Sequence, residues 1–271
     1  MPAYVTDRPV FQATPEPDAR ALPTRYGLAD ERDWLRSTLP GEFEAASAEV
    51  AGVLARHPGF RPGPDTMADA IAVRLYLGAL GDGLDTVLRN GEPGPQVPFA
   101  RCVSAGLGRL PAYRGAAVLG AGLTADDLAE IRQRRILTDW GFTQALAEPH
   151  AGLSGGTDVL IWSLTARRTR LLEPPDDHRA DDRVVFLPGT SFKVLDTAEP
   201  GPGARGRLLL REVAADELDR DHLPFDDFTA AALRRAVEQW QAPGPPSVVG
   251  PAALHRFAAV PGMFPAAAPT G

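Results

Sequence analysis

The spacing of apolar residues changes partway along this chain, and that change limits its fold more than any single motif does. Before residue 90 the apolar positions recur at helical spacing. Phe43, Ala46, Val50, Val53 and Leu54 share one face of a helix predicted over Glu42 to Arg56. A second helix is expected from Asp65, carrying Ile71, Val73, Leu75, Leu77 and Leu80, with a further run through Leu84 and Val87. Asn90 to Pro98 then holds Gly or Pro at five of nine positions, which reads as a loop and as the clearest internal boundary.

Beyond that loop, short runs suited to strands take over. They are predicted at 111–119, Thr157–Ala166, Thr169–Glu173, Arg183–Leu187, Ser191–Thr197 and Arg207–Val213. A helix over Thr124 to Gln133 interrupts them, with Thr124 as its N-cap and Asp127 three residues on. Helices first and strands second is an α+β order, not the alternation of a doubly wound sheet. No Gly-x-Gly-x-x-Gly follows a strand and no phosphate-binding P-loop occurs, which disfavours the common nucleotide folds. One domain is expected over 25–240: a helical part at 25–90, a strand-rich part at 100–214 and a closing helix at 225–240. Residues 1–24, rich in Pro and polar residues, read as a loosely attached arm. Residues 241–271, rich in Ala, Pro and Gly, read as a mostly unstructured tail.

Composition excludes several function classes. The net charge is −7 and no basic stripe is visible, so nucleic acid is not an expected partner. Lys193 is the only lysine, so nearly all of the basic charge is arginine. Cys102 is the only cysteine, which removes any disulfide within the chain and any cysteine-based metal site. The five histidines form no paired ligand motif, so no metal is expected. No apolar run reaches the roughly 18 residues of a membrane span. The N-terminus lacks a basic start followed by an apolar stretch, so the expected location is the cytoplasm, or outside by a signal-less route.

Four stretches stand in a suggestive order: Tyr113-Arg114-Gly115; Phe142-Thr143-Gln144-Ala145; Val184-Val185-Phe186-Leu187-Pro188-Gly189-Thr190-Ser191-Phe192-Lys193-Val194; and Leu209-Leu210-Arg211-Glu212-Val213. This order resembles the mono-ADP-ribosyltransferases of the Arg–Ser–Glu class. Their strands read Tyr-Arg-Gly, Phe-x-Ser-Thr-Ser and Glu-x-Glu-Val-Leu-Phe-x-Pro-Gly-Thr-x-Phe-x-Val. The Pro-Gly-Thr-x-Phe-x-Val element is the most specific piece, and the resemblance runs over residues 107–213.

The resemblance implies an ADP-ribosyltransferase-like fold of two split antiparallel sheets with a helical N-terminal part. It implies NAD as substrate, bound in a cleft between the sheets. Arg114, flanked by Tyr113 and Gly115, would bond the pyrophosphate and ribose as a charge-assisted fork. Phe142, Thr143 and Gln144 fall on the middle strand, with Gln144 where the first serine is expected. The catalytic glutamate should immediately precede Val184, and Arg183 stands there instead. A guanidinium cannot lose its charge in a protein, so it would repel the oxocarbenium-like transition state.

Asp181, at the upstream glutamate position, and Asp182 are the carboxylates that could substitute, with Glu173 behind them. Three function readings follow. One is a degenerate active site in a protein that binds a protein partner or a nucleotide through the remnant cleft. Another is an active mono-ADP-ribosyltransferase of the bacterial toxin or effector type, modifying a protein side chain. A third reading is a structural domain whose cleft is filled by its own side chains. The acidic loop at 174–182 would suit a basic partner.

Overall fold

Helices occupy the chain as far as Arg109 in the computed structural model, which describes residues 10–22, 28–57, 63–220, 223–240 and 247–264. They are α1 (Ala29–Thr38), α2 (Pro40–Ala55), α3 (Pro64–Leu77), α4 (Leu84–Asn90) and α5 (Gln96–Arg109). Pro40 and Pro64 open α2 and α3 at the first helical turn, where a missing N–H costs nothing. The helical part is therefore longer than the expected 25–90. The Gly/Pro-rich stretch at 90–98 is a turn between two helices, not the boundary to the strands. Pro95 caps α5 and Pro98 sits in its first turn, so neither proline removes a helical bond.

Helices α3 and α5 cross closely at Gly106. A Cβ there would lie 2.3 Å from the Asp69 carbonyl oxygen and 2.6 Å from Val73 Cγ2. Gly106→Ala should destabilise the chain by about 1–3 kcal/mol through overpacking, read as a lower urea midpoint. Leu35, Val50, Leu54, Ile71, Val73, Leu77, Val103 and Leu107 form the core between these helices.

The strands follow: β1 (Gly115–Ala121), β2 (Ile136–Asp139), β3 (Thr143–Leu146), β4 (Thr157–Ser163), β5 (Arg167–Arg168), β6 (Arg183–Phe186), β7 (Thr190–Ala198) and β8 (Gly206–Val213). Helix α6 (Ala125–Arg134) lies between β1 and β2, and its N-terminus carries the expected capping box of Thr124 and Asp127. Helix α7 (Pro224–Trp240) closes the domain and packs over Leu160 and Leu209. The strand expected at Thr169–Glu173 is instead a 3₁₀ turn over Arg170–Leu172, which turns Leu172 into the helical core.

The sheet order is β2-β7-β8-β4-β1-β3-β6-β5. Neighbours are antiparallel except β4 and β8, which run parallel. Strands β1 and β3 meet only at the Val118–Leu146 pair. That single ladder pair is the narrowest join in the eight-stranded order, with five strands on one side and three on the other. Alternation along the smaller block gives it two buried faces. Ala145, Val184 and Phe186 join the core under the larger sheet, while Phe142 and Val185 join the helical core.

Both chain ends are more ordered than their composition suggests. Residues 251–257 form a 3₁₀ helix, and Ala253, Phe257, Val260 and Met263 are buried in the sheet core. Near the other end, Ala19 and Ala21 are buried, and Phe11 pairs with Met263 as an isolated bridge. The expected loose arm and tail are thus corrected for 10–22 and 247–264. The rest of both segments lies outside the described residues. Few apolar side chains lie in these stretches, but those present are placed to reach the core, which a composition average hides.

Candidate functional site

Arg183 opens β6 with a side chain that is 0% exposed. Its position is set by the pairing of Arg183 with Leu146 and of Val185 with Gln144 on β3. Residues two apart on a strand share a face, so Gln144 and Arg183 meet. Arg183 Nη1 donates to Gln144 Oε1 at 3.2 Å, and Nη2 donates to the His178 carbonyl. Its Nε lies 3.4 Å from Glu173 Oε1 but finds no hydrogen-bond geometry there. The guanidinium carbon sits 5.6 Å from the Phe257 ring centroid.

Glu173 is equally enclosed. Thr169 Oγ1 donates to Glu173 Oε1, and the Ala180 N–H donates to Oε2 at 2.8 Å. Burial pushes the Glu173 carboxyl above its ordinary range, and Arg183 pulls it partly back. Burial likewise lowers the Arg183 pKa, Glu173 opposes this, and nearby Arg256 adds to the lowering. The network continues outward. Gln144 Nε2 donates to Tyr76 Oη at 2.6 Å, and that hydroxyl donates to Asp85 at 3.1 Å. Burial raises the Tyr76 pKa well above its usual value, so it stays a neutral donor.

A second buried pair stands beside this one. Arg89 donates to both oxygens of Asp139, at 2.9 and 2.8 Å. Thr143 Oγ1 also donates to Asp139, and so does the Gln12 side chain, at 3.0 Å. Thr143 therefore serves a structural ion pair on the opposite face from Gln144. Phe142 packs against Tyr76 with ring centroids 4.8 Å apart.

The other expected site residues are not brought to Arg183. Arg114 precedes β1 instead of lying within it. It is exposed and has no hydrogen-bond or ion-pair partner among the described residues. Gly115 has φ of 146°, a conformation that favours glycine, and a Cβ there would meet Tyr113 Oη at 3.3 Å. Tyr113 Oη donates to the Ala116 carbonyl, and Arg168 lies over its ring at 4.5 Å. Asp181 accepts from Arg179 Nε at 2.7 Å. Asp182 follows on the opposite side of the chain from Arg183, and its charge is felt at Tyr113. Asp182 accepts the Ala147 N–H at 2.8 Å through its backbone carbonyl.

Tyr76, Arg256 and Phe257 were not legible as site residues. Tyr76 lies in a helical run, and the other two lie in a tail read as unstructured. Only the cluster Leu254-His255-Arg256-Phe257 inside a Pro/Ala-rich stretch could have flagged them. Among the described residues no group of His, Cys, Asp or Glu is placed to hold a metal ion. No helix is long and apolar enough to cross a membrane among them either. Burial pushes the Cys102 thiol up to about 12, so it is not a reactive nucleophile.

The fold described above is that seen in solved ADP-ribosyltransferases. A protein of Mycobacterium avium (strain 104) named as an NAD(+)–arginine ADP-ribosyltransferase, Mav, is 28% identical over 141 residues. That match spans 50% of this chain and 17% of the Mycobacterium protein. The type III effector XopAI from Xanthomonas axonopodis pv. citri superposes with a TM-score of 0.57 at 21% identity, over 72% of this chain and 91% of that one. The ADP-ribosyltransferase HopU1 of Pseudomonas syringae pv. Tomato gives 0.57 at 12% identity, over 69% and 99%. Exoenzyme S from Pseudomonas aeruginosa, solved with human 14-3-3 protein beta and carba-NAD, gives 0.51 at 18% identity, over 74% and 96%. No family model matches the chain. The fold is that of the mono-ADP-ribosyltransferases, as the sequence resemblance implied.

Proposed function

We propose that this chain is an ADP-ribosyltransferase-like protein whose NAD-cleaving centre is silent, and that it acts by binding a protein partner. One observation carries the reading: Arg183, which the sequence resemblance puts at the catalytic glutamate position, is fully buried beside Glu173. Cleavage of NAD builds positive charge on the ribose, and a fixed guanidinium beside it opposes that charge. The residues present do not fit NAD cleavage, because the nearby carboxylates are bonded elsewhere or turned away from the guanidinium. Glu173 holds Thr169, Ala180 and Arg183, and its side chain is 2% exposed. Asp181 is bonded to Arg179, and chain alternation turns the neighbouring Asp182 away from the Arg183 side. Arg114 remains exposed and unpaired at the entrance of β1. The type III effector XopAI and exoenzyme S, solved with human 14-3-3 protein beta, support a protein partner, and the acidic residues of 176–182 favour a basic one.

Nicotinamide release from NAD by the purified full chain tests this. No turnover above background is expected for the wild type. Arg183→Glu combined with Glu173→Gln restores one carboxylate without burying two, and any gain of activity there supports the reading. Wild-type turnover that disappears in Asp181→Ala, Asp182→Ala or Glu173→Gln would establish the active-enzyme alternative instead.

A further inference from the structure

Phe257 closes over Arg183, and both side chains are fully buried. The segment that carries Phe257 is tied down in an unusual way. At its start the Gly250 N–H donates to the Arg179 carbonyl at 2.7 Å, and the Asp181 N–H donates to the Val248 carbonyl at 3.0 Å. At its end the Gln12 N–H donates to the Gly262 carbonyl at 3.0 Å, and the Phe264 N–H donates to the Val10 carbonyl at 2.9 Å. Between these ends, among the described residues, residues 251–261 make no backbone hydrogen bond to any strand. The far end is thus tied to the N-terminal segment at 10–12, which among the described residues reaches the sheet only through the Gln12 side chain, bonded to Asp139 and to the Trp140 N–H, and through the packing of Phe11 and Met263. By contrast, β6 is laddered on both sides, to β3 and to β5.

A single polar latch fixes the middle. Arg256 donates to the Tyr76 carbonyl at 2.6 Å, to the Gly78 carbonyl at 2.6 Å and to Asp82 Oδ1 at 2.6 Å. Asp82 is half exposed, with His255 Nε2 at 3.3 Å. The closed state also carries costs. It sets the Arg256 guanidinium near that of Arg183, and their like charges oppose each other. It leaves Arg183 Nε buried without a hydrogen bond.

We infer that residues 247–264 form a releasable cap over Arg183, which opens together with the N-terminal segment at 10–12 while the sheet stays folded. Opening breaks the two backbone bonds at Val248 and Gly250, the Arg256 latch, the bonds of the Gln12 side chain to Asp139 and the Trp140 N–H, and the contacts of Phe11, Ala253, Phe257, Val260 and Met263. It leaves every strand pairing intact and uncovers the guanidinium. A segment with few backbone ties and one exposed latch belongs to the low-stability end of a domain. This device is independent of whether the site turns over NAD, and the two are read by different measurements.

Hydrogen exchange on the full chain, resolved by peptide, tests the cap. The amides of Gly250 and Asp181, whose acceptors lie across the opening, should exchange at least about tenfold faster than those of β6, with a weaker dependence on denaturant. Arg256→Gln should speed cap exchange by a further factor of about ten or more, the loss of charge-assisted bonds, with β6 unchanged. In that variant Arg183 should react with butanedione while β6 remains protected. Asp82→Asn loosens the same latch from the surface and should give the same pattern if Arg256→Gln does not fold. The inference is overturned if cap and β6 amides exchange together with one denaturant dependence. It is equally overturned if Arg183 becomes reactive only when β6 has lost its protection.

Discussion

Arg183→Ala is expected to lower the unfolding free energy by about 3–5 kcal/mol, the usual consequence of removing one partner of a buried ion pair. The arginine is enclosed completely, and its loss strands the Glu173 carboxylate in an apolar surrounding. It also removes the donor to Gln144 and the donor to the His178 carbonyl. The variant should have a distinctive pH profile. Glu173 already has its carboxyl pushed up by burial, and without Arg183 it rises further. A raised folded-state value means that stability is present at low pH and is lost as pH rises through that value. Urea titration should therefore show a smaller deficit near pH 5 than near pH 8. An equal deficit at both would remove Glu173 as the partner that matters.

Arg89→Ala should cost a similar amount, about 3–5 kcal/mol, for the same reason. Asp139 lies wholly inside the protein, and Arg89 bonds both of its oxygens. Here the sign with pH is opposite. Burial opposes the charge of Asp139, but Arg89, Thr143 and Gln12 outweigh it and hold the carboxyl below its usual value. A depressed value contributes stability above the unfolded pKa of about 3.9 that is lost as pH falls through the folded one. The wild type should lose this contribution only under acid conditions. Asp139→Asn should flatten that acid limb of the stability curve, measured by urea midpoints from pH 3 to pH 6. An unchanged limb would show that other carboxylates carry it.

Much of the smaller sheet could be read directly from residue order. Thr143-Gln144-Ala145-Leu146 and Arg183-Val184-Val185-Phe186 read as short strands, while the face that Gln144 and Arg183 share is set by the β3–β6 register. The Thr124–Asp127 cap was also local, since both partners lie within one turn. The extent of the helical part was not legible, because Pro95 and Pro98 mark both a loop and a helix start. Arg114 was expected inside a strand, but the φ of Gly115 delays β1 until after it. The fate of Glu173 was hidden as well. The turn that buries it is fixed by Thr169 and Ala180, contacts four and seven residues away that carry no periodic signal.

Local order was enough to put the Arg183 cation at the start of a short strand, because strand propensity and alternation act between neighbours in the chain. Whether that cation faces solvent or is sealed depends on partners far away in sequence. Tyr76 lies well before it, while Arg256 and Phe257 lie well after it, in a stretch whose composition suggests no structure. Contacts of that separation are selected by the packing of the whole chain, since closing such loops is favourable only when many buried groups gain together.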